Sequence, residues 1–363
     1  MVFNAKRLRQ ARRRRGLSRR GLAQVTGISL RTLAYNESGQ RAPNEEQRLA
    51  LASALGFPDR FFLRDDPKEV SKDGVSFRAM SRMTAGQRER ALASAELALE
   101  FSAWLDKKFK LPQPDLVDCR HHRNPEAAAV ALRSHWCLGD RPIGNLIHLL
   151  EKRGVRVFSV AEDSGNLDAF SFWNDGRPHI FLNTLKSGER GRYDAAHELG
   201  HLVMHEHGEP RGRQAEREAD SFASCFLMPR SSVAAKRPRF RNLDALVKAK
   251  KHWGVSVLAL AYRWHELGLL TDWHYRQVCI EAQKRGYRRR EPNAIDRETS
   301  QVLRKALAHL WSQRVTPAQI AASFDWPSNE LANLTFQCVP NQAPRTAAQG
   351  SGLHLVRGSD WGL

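Results

Sequence analysis

The segment His197-Glu198-Leu199-Gly200-His201 constrains this chain more than any other feature of its sequence. Residues four apart on an α-helix share one face and lie roughly 6 Å apart along the axis, so both imidazoles can reach one metal ion if the segment is helical. Glu198 would flank that ion without binding it, where it could accept a proton from a metal-bound water. The segment therefore predicts a helix that carries a zinc site and a general base.

A catalytic zinc site also needs a third protein ligand and an open position for water. His205 lies about 12 Å along the axis from His197, which is too far to share the ion in a straight helix. His207 has the spacing of a third ligand, but Met204 occupies the position where a glycine would let the chain turn back to the metal. The acidic residues of Ala215–Ala223, which lead into an apolar helical face, are the third candidate.

The composition limits the classes of protein to which the chain can belong. It has 363 residues, of which 41% are hydrophobic, enough for two or three domains with a substantial core. No segment approaches the ~18 apolar residues of a membrane helix, and the start of the chain is too basic for a signal peptide. The five cysteines are scattered and contain no CxxC pair, so neither a disulfide framework nor a cysteine zinc site is indicated. We therefore expect a soluble, cytoplasmic protein without a membrane partner.

The positive charge of the chain is concentrated near its amino terminus. The formal net charge is +19, and residues 1–64 contain fourteen Lys or Arg against four acidic residues, which gives +10. Such an excess is a physical argument for a polyanionic partner, although not for a particular fold. The distribution predicts that the first part of the chain binds nucleic acid.

Residues 8–62 have the pattern of short amphipathic helices separated by tight breaks. Ser18 and Ser29 can each cap a helix, and Gly27 supplies the turn between the two helices. This arrangement is typical of the helix-turn-helix, in which the second helix lies in the major groove of DNA. The predicted DNA contacts are Ser29, Arg31, Thr32 and Tyr35 for bases or sugars, and Arg19, Arg20 and Arg41 for phosphates.

The stretches LRQARRRRGLSRRGLAQVTGIS and RTLAYNESGQRAP make residues 5–63 resemble the XRE (Cro/C1-type) helix-turn-helix family. Glu37, Gly39 and Pro43 stand at the family's usual turning points, whereas Arg19 and Asn36 replace a more common glutamine and an apolar residue. The resemblance implies a five-helix, lambda-repressor-like domain that binds double-stranded operator DNA. The alternative is a helical domain of this shape that is used only for protein contacts.

The middle of the chain changes from helical to strand patterns before the histidine motif. Helices are predicted over 85–109, 126–136 and 143–152, and strands over 155–160, 169–173 and 179–183. Asn174-Asp175-Gly176 is the predicted hairpin turn between the last two strands. The zinc helix is expected to run from about Gly191 to His205. The order of an edge strand followed by a zinc helix is common to the zincin peptidases, so the last strand is expected to be an edge strand. Ile180 and Leu182 are then candidate neighbours of a substrate peptide that adds to the sheet.

The segments RYDAAHELGHLVMH and AEREADSFASCFLMP resemble the two-part signature of the ImmA/IrrE metallopeptidase family, and the likeness extends over residues 120–290. The resemblance implies a zinc ion bound by His197, His201 and Glu218, with Glu198 as the base and Glu216 as the fallback third ligand.

Five further residues have predictions of their own. Asp220 stands where the family more often has asparagine, and it could orient a ligating histidine. The group that stabilises the oxyanion is left open between Arg192 and a histidine. Trp253, Trp264 and Trp273 are predicted to pack between helices.

The expected fold class is mainly α with a small β-sheet (α+β). It consists of the helix-turn-helix domain, a zincin-like domain of the gluzincin kind, and C-terminal helices. The expected boundaries are 1–65 for the helix-turn-helix domain, 66–118 for a helical connector, 119–240 for the zincin-like core, 241–338 for a helical region with helix-turn-helix-like segments, and 339–363 for a flexible tail.

These predictions combine into one leading hypothesis, a DNA-binding transcriptional regulator with a zinc-dependent endopeptidase domain. The resemblance implies that the cleaved protein is another repressor. One alternative is a DNA-binding repressor or antitoxin whose zincin-like domain binds a partner or senses without catalysis. Another is a housekeeping peptidase that uses its basic head as an anchor. The expected cofactor is Zn²⁺, the expected partners are double-stranded DNA and a protein substrate, and a homodimer is left open.

Overall fold

Four α-helices and a 3-10 turn form the amino-terminal part of the chain: α1 (Ala5–Arg14), α2 (Arg19–Thr26), α3 (Leu30–Ser38), α4 (Glu45–Leu55) and the turn Asp59–Leu63. The computed structural model describes residues 2–70, 83–122, 124–160, 169–205, 212–236, 242–338 and 354–355. Ser18 and Ser29 cap α2 and α3 as predicted, and Gly27 ends α2 with a φ of 70°. The helix-turn-helix is therefore confirmed, with a 3-10 turn in the place of the expected fifth helix.

A long helix, α5 (Ala85–Lys108), connects this head to the rest of the molecule. It begins at a capping box formed by Thr84 and Gln87, and it ends where Phe109 becomes extended. Helix α1 packs along α5. Two shorter helices follow, α6 (Pro125–His135) and α7 (Leu146–Lys152), close to their predicted positions.

The sheet contains three strands, β2 (Arg156–Val160), β3 (Ala169–Asn174) and β4 (Arg177–Asn183). β4 lies in the centre, parallel to β2 and antiparallel to β3. The turn between β3 and β4 has positive φ at both Asp175 (49°) and Gly176 (70°), as a two-residue type I′ hairpin requires. The three strands and the hairpin confirm the prediction from the sequence.

The prediction that β4 is an edge strand is wrong. β4 has a hydrogen-bonded neighbour on each side, and Ile180 and Leu182 are 0% and 3% exposed. They therefore cannot pair with an added peptide. The edge strand that packs against the histidine helix is β3. The error arises because apolar patterns identify strands but do not specify their order in the sheet.

Two helices carry the conspicuous histidine and acidic segments, α8 (Gly188–Met204) and α9 (Arg213–Leu227). Ser187 caps α8, which begins three residues before the predicted start. The two helices approach closely at Gly200, where a Cβ atom would lie 3.0 Å from Cδ1 of Phe222 and 3.3 Å from Cα of Ala219. This close approach brings the side chains of α9 to those of α8.

The remaining chain is a set of short helices with one small strand pair. These helices are α10 (Arg230–Ala235), α11 (Leu243–Ala249), α12 (Val257–Glu266), α13 (Asp272–Lys284), α14 (Gln301–Ser312), α15 (Pro317–Ser323) and α16 (Ser328–Leu334). The strand β5 (His354–Leu355) pairs antiparallel with β1 (Phe109–Lys110). The rest of the expected tail, 339–353 and 356–363, lies outside the described residues. No described helix is both long and apolar enough to span a membrane.

The tryptophans of this region divide into two groups. Trp253 and Trp264 are buried, as predicted, but Trp273 is 65% exposed, so the prediction that it packs between helices is wrong. Helix α13 buries Val278 and Ala282. Trp273 precedes Val278 by five residues, which places it about 140° away around the helix axis.

Buried ion pairs join the head to the rest of the molecule. The carboxylate of Glu330 in α16 accepts hydrogen bonds from Nε of Arg14 at 2.8 Å and from Nη1 of Arg15 at 2.6 Å. Arg7 pairs with Glu100, and Arg13 pairs with Glu96 at 2.8 Å, both on α5. These ion pairs therefore neutralise part of the positive charge of the head inside the protein.

Candidate functional site

Helix α8 brings the two histidines of the motif together. Because His197 and His201 lie one turn apart, their rings share a face of α8, and their Nε2 atoms are 3.1 Å apart. Both side chains are mostly buried. The predicted helical arrangement of the motif is confirmed, and it leaves one nitrogen of each ring directed to the same point.

Glu216 of α9 completes this group. Its Oε2 lies 3.6 Å from Nε2 of His197, and its Oε1 lies 3.5 Å from Nε2 of His201. One donor atom from each of the three residues lies within 4.8 Å of the other two. Two imidazole nitrogens and one carboxylate oxygen are a donor set that zinc takes in catalytic sites, so these residues fit that ion.

Glu218 occupies a different position from the one that the resemblance implies. Its Oε2 lies 2.9 Å from Nε2 of His205, and the structure does not bring it to the other two rings. Residues two apart on a helix differ by about 200° around the axis, so Glu216 and Glu218 cannot both face the same pair of rings. His207 lies outside the described residues.

Each of the two rings has a hydrogen-bond partner on its other nitrogen. Nδ1 of His197 lies 2.9 Å from Oδ1 of Asp220, the contact expected from the sequence. Nδ1 of His201 lies 3.0 Å from Nδ1 of His205. Such contacts fix the orientation and the tautomer of a ligating histidine.

The electrostatics of the group favour a positive charge between its members. Burial lowers the pKa of His197, but the hydrogen bonds to Asp220 and Glu216 outweigh burial and raise the pKa to about 10. Burial raises the pKa of Glu216, but the hydrogen bonds from His197 and His201 outweigh it and hold the pKa far below its ordinary value. Burial lowers the pKa of His205, so this ring is neutral near pH 7.

Glu198 is buried beside the group and is held by the sheet. The hydroxyl of Ser171 in β3 donates a hydrogen bond to Oε2 of Glu198 at 2.6 Å. Both residues are almost fully buried. The carboxylate is thereby fixed between the histidine helix and the edge strand.

The predicted DNA contacts lie at the start of α3 and among the basic residues around it. Arg31 donates a hydrogen bond from Nε to the hydroxyl of Tyr35 at 3.0 Å, and the hydroxyls of Ser29 and Thr32 lie 2.8 Å apart. Among the candidate contacts, Ser29, Arg31, Arg19, Arg20 and Arg41 are exposed, whereas Thr32 and Tyr35 are half-buried. In a helix-turn-helix, the start of the second helix is the part that enters the major groove, and the contacts of these residues with DNA stay a prediction.

Arg19 also has a role inside the head. Its Nε donates to Oε2 of Glu37 at 2.7 Å, and Arg12 pairs with the same carboxylate. Burial raises the pKa of Glu37, but the hydrogen bonds from Arg12 and Arg19 outweigh it and lower the pKa. Arg19 stands where the XRE family commonly has glutamine, and in this chain it forms an ion pair with Glu37, a residue that is usual in the family.

Two family models match the chain. Residues 5–60 match a helix-turn-helix domain, and residues 150–265 match the peptidase M78 model described as the IrrE N-terminal-like domain. The chain joins a helix-turn-helix domain to an IrrE-like domain. The IrrE-like domain contains the sheet, α8, α9 and the His197, His201 and Glu216 group. Among curated proteins, no match to the chain is found.

Within the IrrE-like domain, sequence reasoning missed Ser171. The signal in the sequence was a serine within a strand of otherwise apolar residues, 169–173. The strand pattern does not show which buried group that serine contacts.

Arg192, a candidate for oxyanion stabilisation, pairs with Glu298 and donates to the carbonyl oxygen of Gly144. Its guanidinium is therefore engaged away from the histidine group.

Proposed function

We propose that this protein is a DNA-binding transcriptional regulator whose IrrE-like domain is a zinc-dependent endopeptidase. The observation that carries the proposal is the convergence of His197, His201 and Glu216 beside the buried carboxylate of Glu198. These three side chains would hold zinc, with Glu216 replacing Glu218 as the third ligand. When bound, zinc would lower the pKa of a water molecule and polarise the carbonyl of the scissile peptide.

The side chains of the chain itself would do the remaining work. Glu198 accepts a proton from the attacking water and returns it to the leaving amine. Ser171 holds the Glu198 carboxylate through its hydrogen bond at 2.6 Å. An extended substrate would pair with the outer edge of β3, because β4 has no free edge.

The helix-turn-helix domain would bring this activity to DNA. Ser29, Arg31, Thr32 and Tyr35 would contact bases or sugars, and Arg20 and Arg41 would contact phosphates. Arg19 would contribute both a phosphate contact and its ion pair with Glu37. The substrate class, another transcriptional repressor, comes from the family resemblance.

The decisive experiment compares zinc content with proteolysis. The protein is expressed together with the products of neighbouring genes, and we expect zinc-dependent loss of one of them. Glu198→Gln should keep stoichiometric zinc and abolish that loss, since it removes the base but no ligand. Unchanged proteolysis in this variant would contradict the mechanism.

Metal analysis of two further variants tests the ligand assignment. Glu216→Gln should lose stoichiometric zinc, whereas Glu218→Gln should retain it. A wild-type protein that binds operator DNA but no zinc would instead support a repressor with a non-catalytic zincin-like domain. Binding to random and selected duplexes at one salt concentration separates a regulator from a basic anchor, because phosphate contacts alone give no sequence preference.

A further inference from the structure

We propose that His205 and Glu218 form a hydrogen-bonded chain that positions His201 and thereby sets the zinc affinity of the site. This inference rests on the proposed function, since it assigns a role to two residues beside the proposed ligands. Neither residue belongs to the group of His197, His201 and Glu216. Both would be positioning residues that act through His201.

The geometry forms one continuous series of contacts. Nδ1 of His201 lies 3.0 Å from Nδ1 of His205, and Nε2 of His205 lies 2.9 Å from Oε2 of Glu218. Gln214 then donates from Nε2 to Oε1 of Glu218 at 2.9 Å. The series starts at a proposed ligand on α8, passes the end of that helix and finishes on α9.

The direction of the hydrogen bonds follows from the chemistry of a ligating imidazole. Nε2 of His201 faces Glu216 and His197, so it is the nitrogen that would bind zinc. A nitrogen that binds a metal uses its lone pair, so with zinc bound the proton of this ring would be on Nδ1. His205 then accepts at Nδ1, which leaves its own proton on Nε2 to be donated to Glu218. Every donor in the series has an acceptor, and only this assignment of tautomers allows His201 to bind a metal through Nε2.

The residues that hydrogen-bond to Nδ1 of the two proposed histidine ligands differ in their exposure to solvent. The side chain of Asp220, beside His197, is 61% exposed. The side chains of His205 and Glu218 are 4% and 20% exposed. Water competes weakly for hydrogen bonds in such an enclosed place, so the series at His201 should contribute more to fixing its ring.

The test measures the dissociation constant for zinc alone, by competition with a chelator, in the full-length protein. His205→Phe removes the acceptor for His201, and we expect the constant to rise about 10–100-fold, the usual effect of losing an outer contact of a ligand. Glu218→Gln keeps an acceptor oxygen but removes the charge, so it should have a smaller effect. Arg217→Gln, which changes an exposed charge at the neighbouring position, is the control and should leave the constant unchanged.

A double-variant cycle separates positioning from general damage to the fold. Because Glu218 acts through His205, Glu218→Gln should have no additional effect in the His205→Phe background. His205→Asn, whose side-chain oxygen can accept from Nδ1 of His201, should recover part of the affinity. The thermal unfolding of the metal-free variants should remain close to that of the wild type.

Two results would overturn the inference in distinguishable ways. Equal zinc constants for the wild type and His205→Phe would refute it while leaving the proposed function intact. A wild-type protein that binds no zinc would refute both. If His205→Phe fails to fold, His205→Asn and Glu218→Gln test the inference in its place. Zinc dissociation constants equal to that of the wild type in both variants would refute it.

Discussion

The hydroxyl of Ser171 links the sheet to the proposed base through its hydrogen bond to Oε2 of Glu198, and Ser171→Ala removes that link. Ser171→Ala leaves the zinc ligands unchanged, so zinc content should stay the same while kcat falls about tenfold, because one lost hydrogen bond is worth about 1–1.5 kcal/mol. KM should change little, since Ser171 acts through Glu198. Ser224→Ala is the control, because Ser224 is also buried but its hydroxyl has no hydrogen-bond partner among the residues that the structure describes. Equal kcat values for the two variants would contradict this role.

At the scale of residues, the sequence is informative where one helix alone decides the geometry. The spacing of His197 and His201 fixes their common face, and the structure confirms this. The choice between Glu216 and Glu218 depends on how α9 is rotated against α8. That rotation is set by the packing of Phe222 against Gly200, a contact between segments that local patterns do not specify.

At the scale of elements, the close approach of α8 and α9 controls the site. Gly200→Ala would place a Cβ atom 3.0 Å from Cδ1 of Phe222 and 3.3 Å from Cα of Ala219, tighter than most Cβ contacts, so α9 would have to shift slightly. We expect the unfolding free energy to fall by about 1–3 kcal/mol through overpacking, although alanine favours a helix intrinsically. Zinc affinity should fall as well, since α9 carries Glu216.

The matched control lies on the same helix. A Cβ atom at Gly191 would meet nothing within 4 Å, so Gly191→Ala should raise the unfolding free energy by about 0.5–1 kcal/mol. Chemical unfolding of both variants measures the difference. A stabilising effect of Gly200→Ala equal to that of Gly191→Ala would show that the two helices can separate without cost.

The central strand contains a buried ring whose protonation should weaken the fold. His179 stacks on Phe172 with the ring centroids 5.6 Å apart, and its Nδ1 donates to the carbonyl oxygen of Arg177. Burial, with smaller effects from Arg156, Arg177 and Lys68, lowers the pKa of His179 to about 3. The folded pKa lies below the unfolded one, so the stability associated with the neutral ring is complete above pH 6.5 and is lost as the pH falls toward 3.

This sign gives a test that compares two pH slopes. Between pH 6.5 and 4, metal-free wild type should lose up to about 1.4 kcal/mol per pH unit more than His179→Phe, which has no titrating ring. Urea unfolding at a series of pH values measures both slopes. Parallel slopes would mean that burial does not lower the pKa of His179 in the folded protein.

Elements were predictable from the sequence in kind and position, but their pairing was not. The strand pattern and the Asp175-Gly176 turn depend on local backbone preferences, and both are confirmed. β4 is central because it pairs in parallel with β2, and β3 lies between these two strands in the sequence. Local patterns do not show such a pairing between distant segments. For the same reason, β3 was not recognised as the edge strand beside Glu198.

At the scale of the whole molecule, the charge of the head serves two purposes. The excess of +10 over residues 1–64 correctly indicated a DNA-binding type of domain. However, Arg7, Arg13, Arg14 and Arg15 use their charge to hold the head against α5 and α16. A count of charges cannot separate these functions, because the acidic partners lie far away in the sequence.

Glu330 is the residue on which this attachment can be tested. Its carboxylate is fully buried between Arg14 and Arg15, so Glu330→Gln removes the negative charge that both guanidinium groups contact there. Removing one partner of a buried ion pair typically costs about 3–5 kcal/mol, and we expect an effect near the lower limit because Arg15 is partly exposed. Unfolding free energy and hydrogen exchange of the α1 amides are the measurements, and α1 should exchange faster in the variant.

The control removes the same charge from an exposed pair. Asp244 accepts from Arg285 at 2.6 Å, a distance equal to that between Arg15 and Glu330, but the side chains of Asp244 and Arg285 are 64% and 38% exposed. Asp244→Asn should therefore change stability little, because solvent screens such a pair. If Glu330→Gln were as mild as Asp244→Asn, the pairs of Arg14 and Arg15 with Glu330 would not be what holds the head. Its attachment would then depend on the contacts of α1 with α5, which include the ion pairs of Arg7 and Arg13.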